Sequence, residues 1–135
     1  MERSTQRPLE LILARNLLST LSTAAFLVNR PGDIVFYNES AGVLLGRRFE
    51  EKGAMSATEW VETFGPFDDD GKPIPVEDQP LTHALRKNRP AHAKHKIRAV
   101  GGAEQWVEVA GLPVIGADGF QGAMVFFWGA EEDGS

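Results

Sequence analysis

The last third of the chain does most to limit what it can become. Three strand-length runs, His92–Val100, Gln105–Val114 and Phe120–Trp128, are separated by Gly101-Gly102 and by Ala117-Asp118-Gly119. Glycine turns of this kind join antiparallel neighbours, so the three runs predict a meander. The third run contains Met124-Val125-Phe126-Phe127-Trp128, with no polar residue. Successive side chains on a strand point to opposite faces. Both faces of this strand are therefore apolar, and both need cover. Short helices are expected on one face, and an N-terminal helix or a partner chain on the other.

Two more strands come early. Ala25–Asn29 and Ile34–Tyr37 flank Arg30-Pro31-Gly32-Asp33 and read as a hairpin. Short helices follow it. Asn38 is placed to cap Glu39–Leu45, and Gly46 to end it. A helical turn begins near Ser56, with Glu59 completing a capping box and Trp60, Val61 and Phe64 on one face. The rest of 49–67 is ambiguous, and Asp70-Gly71, Pro73 and Pro75 keep 67–76 irregular. Glu77–Lys87 is the last helix, with Pro80 near its first turn and Leu81, Ala84 and Leu85 on one side. The expected class is α+β: a five-stranded antiparallel sheet with short helices on one face.

The N-terminal segment Pro8–Leu21, with Ser4 or Thr5 as cap, is helical and apolar on two sides. Leu9, Ile12, Leu13 and Leu17 make one row, and Leu11, Ala14, Leu18 and Leu21 the other. Two rows exceed what one sheet face covers. Either the helix lies on its own domain, or it also meets a second subunit. In the second case the expected homodimer interface is Leu11, Ala14, Leu18 and Leu21 with Val125 and Phe127. The chain then divides into an N-terminal helix (1–21), a domain (22–129) and a disordered polar tail (130–135).

Composition narrows the chemistry. A length of 135 residues suits one domain with a real core. Lys and Arg number 14 against 19 Asp and Glu, a net charge of −5, which opposes generic binding to nucleic acid. There is no cysteine, so disulfides, thiolate metal sites, cysteine nucleophiles and thiol-bound chromophores are excluded. No apolar run approaches the ~18 residues of a membrane span, and Met1–Pro8 is too polar for a signal peptide. A cytoplasmic protein is expected.

Several pieces together resemble a PAS domain, a sensory module of bacterial signalling proteins. They are Ala25–Asn29, Gly32, Ile34–Asn38, Ala41 and Leu45-Gly46; then Asp70–Pro75, Asp78–Leu81 and Ala84-Leu85; then Trp106–Val109, Leu112–Val114, Asp118-Gly119 and Gly122-Ala123. The resemblance spans about Leu18 to Trp128 and rests on order and spacing. It implies a non-enzymatic sensor or protein-interaction module, acting as a homodimer, with a small apolar ligand or a partner. Relatives that bond flavin or coumarate through cysteine are not matched, since none is present. After Trp128 comes Gly129-Ala130-Glu131, without the Asp-Ile-Thr-like turn that leads into an effector. If the termini are natural, the expected reader is a signalling protein in trans.

The resemblance also implies a cavity between the sheet and the short helices. Its expected lining from the first half is Phe26, Val28, Phe36, Leu44, Leu45, Trp60 and Phe64. From the second half come Leu81, Leu85, Ile97, Val109, Met124, Phe126 and Trp128. One alternative is a ligand-free dimerisation scaffold with a packed core. Another is a haem sensor through His83, which lies on the helix where haem-binding relatives place their axial histidine. His83 is nevertheless turned about 100° from Ala84, off the Leu81–Leu85 face, which favours exposure. His95 alternates with Ala93, Ile97 and Ala99 and is expected to point inward, while His92 points the other way, so the pair is a poor zinc site. Asp68, Asp70 and Glu77 fit a calcium loop only in part, because Pro66 stands at its first place. Lys94, Lys96 and Arg98 share one strand face and read as a solvated row. No catalytic pairing of nucleophile and base is visible.

Overall fold

A computed structural model describes residues 9–130, with only the backbone of 51, 52, 80 and 81. The suggested caps Ser4 and Thr5, Pro8 and residues 131–135 lie outside the described residues. Ala130, assigned above to the tail, still donates its N–H to the Trp106 carbonyl (3.0 Å).

The elements are α1 (Leu9–Ser19), β1 (Ala24–Asn29), β2 (Ile34–Tyr37), α2 (Glu39–Leu45), α3 (Phe49–Lys52) and α4 (Ala57–Phe64). A 3-10 turn (Val76–Asp78), α5 (Pro80–Arg86), β3 (Ala91–Arg98), β4 (Glu104–Gly116) and β5 (Gly119–Gly129) follow. The five strands form one antiparallel sheet in the order β2-β1-β5-β4-β3. The hairpin and the meander thus meet through β1 and β5, which puts the all-apolar strand in the centre.

Local chemistry sets the helix ends. The Asn38 side chain accepts from Ala41 N, and Gly46 closes α2 at φ 84°. The Ser56 side chain accepts from Glu59 N at the start of α4. The helix expected over 77–87 is shorter, because residues 76–78 wind as a 3-10 turn before Pro80 begins α5.

Register decides which residues face inward. Ala24, Phe26 and Val28 on β1 lie opposite Phe127, Val125 and Ala123 on β5. These residues face α2–α5. Ala25 and Leu27 lie opposite Phe126 and Met124, on the other face, under α1. Met124, Phe126 and Trp128 therefore do not line the inner cavity; Val125 and Phe127 do, and neither belongs to an outer interface. Apolarity on both faces made the parity of β5 ambiguous until its partner was known.

Phe36 is displaced for a different reason. Leu27 pairs with Phe36 but Val28 with Ile34, so Val35 is an extra residue in β2. Such a bulge resets alternation. Ile34 and Tyr37 point inward, while Val35 and Phe36 join the cluster beneath α1.

The two rows of α1 are also exchanged relative to expectation. Leu11 and Leu18 are 3% and 0% exposed and pack with Ala14 on Ala25, Leu27 and Val114. They are intramolecular core and not a free dimer face. Leu9 (65%), Leu13 (57%), Ile12 and Leu17 are exposed instead. Leu21, past the end of the helix, sits at the margin of exposure. Arg15 adds a contact, its guanidinium 4.4 Å from the Phe36 ring centre.

Asn38 and Gly122 hold these parts together. The Asn38 side chain donates to Leu18 O (3.0 Å) and Thr23 O (2.9 Å) and accepts from Ala25 N (3.1 Å) and Ala41 N (3.0 Å). All four of its hydrogen-bonding positions are used. Gly122 has φ 155°, and a Cβ there would collide with the Val28 carbonyl oxygen. Leu11 Cδ2 would lie 3.1 Å from that Cβ, so the bare backbone lets α1 sit close to the sheet.

Candidate functional site

Between the inner sheet face and α2, α4 and α5 lies a cavity of about 140 Å³. Phe26, Val28, Leu45, Trp60, Phe64, Leu85 and Ile97 line it as expected, and so does Val109. Leu44 packs at the side of the same cluster without lining the space. The side chain of Leu81 lies outside the described residues. Ile34, Val61, Val107, Ala123, Val125 and Phe127 complete the apolar wall.

Aromatic rings shape one end. Phe26 and Trp60 have centroids 4.7 Å apart, Trp60 and Phe64 4.9 Å, and Phe26 and Phe127 5.9 Å. These tilted and edge-on contacts are favoured over flat stacking and fix the wall. An apolar cavity of ~150 Å³ stays dry and takes a molecule the size of benzene. The space here is of that order.

Polar groups on the lining are few. Gln79 is buried and commits its amide nitrogen to Ile74 O (2.9 Å). Arg30 donates from Nε to Phe120 O (3.0 Å); it and Arg86 are exposed residues at the cavity's margin, beside Thr82. His95 is different. It lines the cavity, and its Nε2 is buried without a hydrogen-bond partner. Alternation on β3 revealed its inward direction, but its isolation depends on Val107 across the ladder and Ile97 beside it.

Burial pushes the His95 imidazole below its ordinary pKa. The folded state therefore holds this ring neutral at a pH where an unfolded chain, near ~6.5, begins to bind a proton. The charged groups lining the same cavity, Arg30 and Arg86, are cationic and offer the proton no partner. Stability is complete above the unfolded value and is lost as pH falls from about 6.5 toward the folded one. Urea unfolding at pH 8 and 5.5 should show a larger acid loss in wild type than in His95→Leu. His83 and His92 are present in both proteins and cancel in the comparison. Equal losses would contradict the assignment.

The other histidines lie elsewhere. His83 is exposed, with Nε2 2.7 Å from Glu77 O. It does not line the cavity, so the haem reading through His83 is corrected by geometry: its ring is on the outer side of α5. His92 lies on the outer sheet face, 2.7 Å from a Glu108 carboxylate oxygen and beside Trp128. Trp128 is thus an exposed outer-face residue, not a cavity one. Among the described residues, no group of three or more His, Asp or Glu side chains could hold a metal ion.

The basic row on β3 is locally compensated. Lys96 and Arg98 reach Glu104 at 3.5 and 3.1 Å. Arg98, then Lys96, hold that carboxyl below its usual range. Lys94 lies over the Trp106 ring, and Arg98 over Phe67.

No protein-family model matches the sequence, and comparison with curated proteins finds no match. Solved structures do match. The PAS domain of a protein from Colwellia psychrerythraea has TM-score 0.62 and 14% identity, covering 88% of this chain and 97% of that one. The fold is that of a PAS domain. A Rhodobacter sphaeroides LOV protein has TM-score 0.70 at 13% identity, covering 93% of this chain and 69% of its own. The PAS domain of Bordetella pertussis BvgS gives 0.59 at 12%, covering 91% and 87%. In this PAS fold the hairpin, short helices and meander border the cavity, and α1 lies across the opposite sheet face. No described helix is long and apolar enough to cross a membrane.

Proposed function

We propose that this chain is a non-enzymatic sensory module that binds a small apolar ligand in the sheet–helix cavity. The largely apolar space, walled by Phe26, Trp60, Phe64 and Phe127 and open at the Arg30 and Arg86 margin, is the observation that carries this reading. Val125 and Phe127 face the cavity, while Met124 and Phe126 of the same strand support α1. A ligand against the first pair is therefore one strand thickness from the α1 contact. The output of the module is a change in the packing of a homodimer, read by a signalling partner.

The exposed row Leu9, Ile12, Leu13 and Leu17 supports a second copy as the partner of α1. It replaces the row first expected there. The same row also suits a scaffold that dimerises without ligand, and the two readings separate on ligand titration. Toluene is a suitable probe, because its size matches the space and it has no polar group. Titration of isotopically labelled protein should shift amide signals of Val107, Val125 and Phe127, and Val125→Phe should abolish those shifts by filling the cavity. No shift at any toluene concentration would leave the scaffold reading standing and reject the sensor.

A further inference from the structure

The fixed charges on the cavity are of one sign. Among the described residues Arg30 and Arg86 line it, and no Asp or Glu does, in a chain whose net charge is −5. Neither guanidinium is neutralised by the protein. Arg30 donates from Nε to Phe120 O (3.0 Å), which anchors it beside the start of β5 and leaves both terminal amino groups without a partner among the described residues. Arg86 has no ion pair and no side-chain hydrogen bond among them. Asp33, Glu62 and Glu77 border a neighbouring recess with Arg86, but none pairs with it and none lines the cavity. A polar stripe runs to the same margin. Gln79, Thr82 and Arg86 all line the space and stand three and then four residues apart, the spacing of one helix face. The Thr82 hydroxyl has no partner among the described residues, and Gln79 keeps one amide N–H beyond its bond to Ile74 O.

We infer that the occupant is a small organic acid, its apolar body of about one ring in the cavity and its carboxylate at the Arg30 and Arg86 margin. This rests on the cavity being a ligand site, as proposed above, and adds the head that the apolar body carries. The size of the space limits that body to about one ring. A guanidinium donates in a planar fork that matches the two oxygens of a carboxylate. Thr82 offers a further donor on the same lining. A carboxylate placed deeper would meet Phe26, Phe64 and Val109 unpaired, so the acid group belongs at the rim. Both arginines are exposed there, and the anion keeps part of its hydration. A cationic head would meet two like charges, and an uncharged one would leave both arginines without a counter-ion.

The test titrates the full chain calorimetrically with benzoate, phenylacetate and 3-phenylpropionate, each against its own uncharged amide, and with toluene. The three arms let the acid group reach the rim from a ring held in the cavity. The tightest acid should bind about tenfold better than its amide, the sum of two partly exposed charged contacts. Raised salt should narrow that ratio. Arg30→Gln and Arg86→Gln should each lower it about threefold, and thermal unfolding of each variant shows that it is folded. The acid should also shift the Val107, Val125 and Phe127 amides, as toluene does. Acids that bind no better than their amides, with toluene bound, overturn the carboxylate and leave the cavity reading intact. So does a ratio that both arginine variants leave unchanged, or an acid that binds without moving those amides. Failure of toluene and of every acid to bind wild type overturns both.

Discussion

Replacing Asn38 by alanine should cost about 4 kcal/mol, and lower Tm by about 15 °C. The side chain bonds the last turn of α1, the following loop, the start of β1 and the first turn of α2 at once. Loss of a helix cap alone costs ~1 kcal/mol. Here the Ala25 N–H and the Leu18 carbonyl are left buried as well, each worth ~1–3 kcal/mol when unsatisfied, partly offset by relaxation. Asn38→Asp keeps the two acceptor bonds but loses both donors, and points a carboxylate at two carbonyls. It should fail nearly as badly. Ser40→Ala, which removes one exposed bond to Ser22 O (2.8 Å), should cost under about 0.5 kcal/mol. Chemical denaturation of the three variants checks the ranking, and a cost for Asn38→Ala near that of Ser40→Ala would contradict it.

Gly122→Ala should destabilise by about 3 kcal/mol or more. Two penalties coincide there: a positive φ that side chains rarely adopt, and a Cβ driven into the Val28 backbone. Backbone cannot rotate away as a flexible side chain would. The strands must part at that end, and Leu11 must lift from the sheet. Gly119 makes the comparison sharp, because it shares the positive φ (94°) but has open space where a Cβ would sit. Gly119→Ala should cost only about 1 kcal/mol. Equal losses in the two variants would show that steric closure at Gly122 is not what matters. Amide exchange should localise the damage in Gly122→Ala to β1, β5 and α1.

Much of this architecture could be read from the residues, for identifiable reasons. Turn glycines delimited the meander, and Asn38, Gly46 and Ser56 marked helix ends because each has a backbone task that few other residues perform. What stayed hidden was which side is inside. In α1 and β5 both sides are apolar, so hydrophobicity cannot choose between them; strand pairing and helix docking do. In β2 a single inserted residue, Val35, reverses the face of Phe36, and no composition signal announces it. The cavity was expected from the PAS resemblance, with eight of its described lining residues placed there by the structure. The inward direction of His95 was legible in the alternation of β3. Its lack of a partner was not, because that depends on residues distant in sequence.

Sensing of the proposed kind requires that occupancy of the cavity be felt by α1 through β5. Hydrogen exchange of the α1 amides, measured with and without saturating toluene, tests this most directly. With Val125 and Phe127 pressed from one side and Met124 and Phe126 supporting α1 on the other, exchange across Leu11–Leu18 should change severalfold. The change should vanish in Val125→Phe. Toluene bound in the cavity with α1 exchange unaltered would contradict the account.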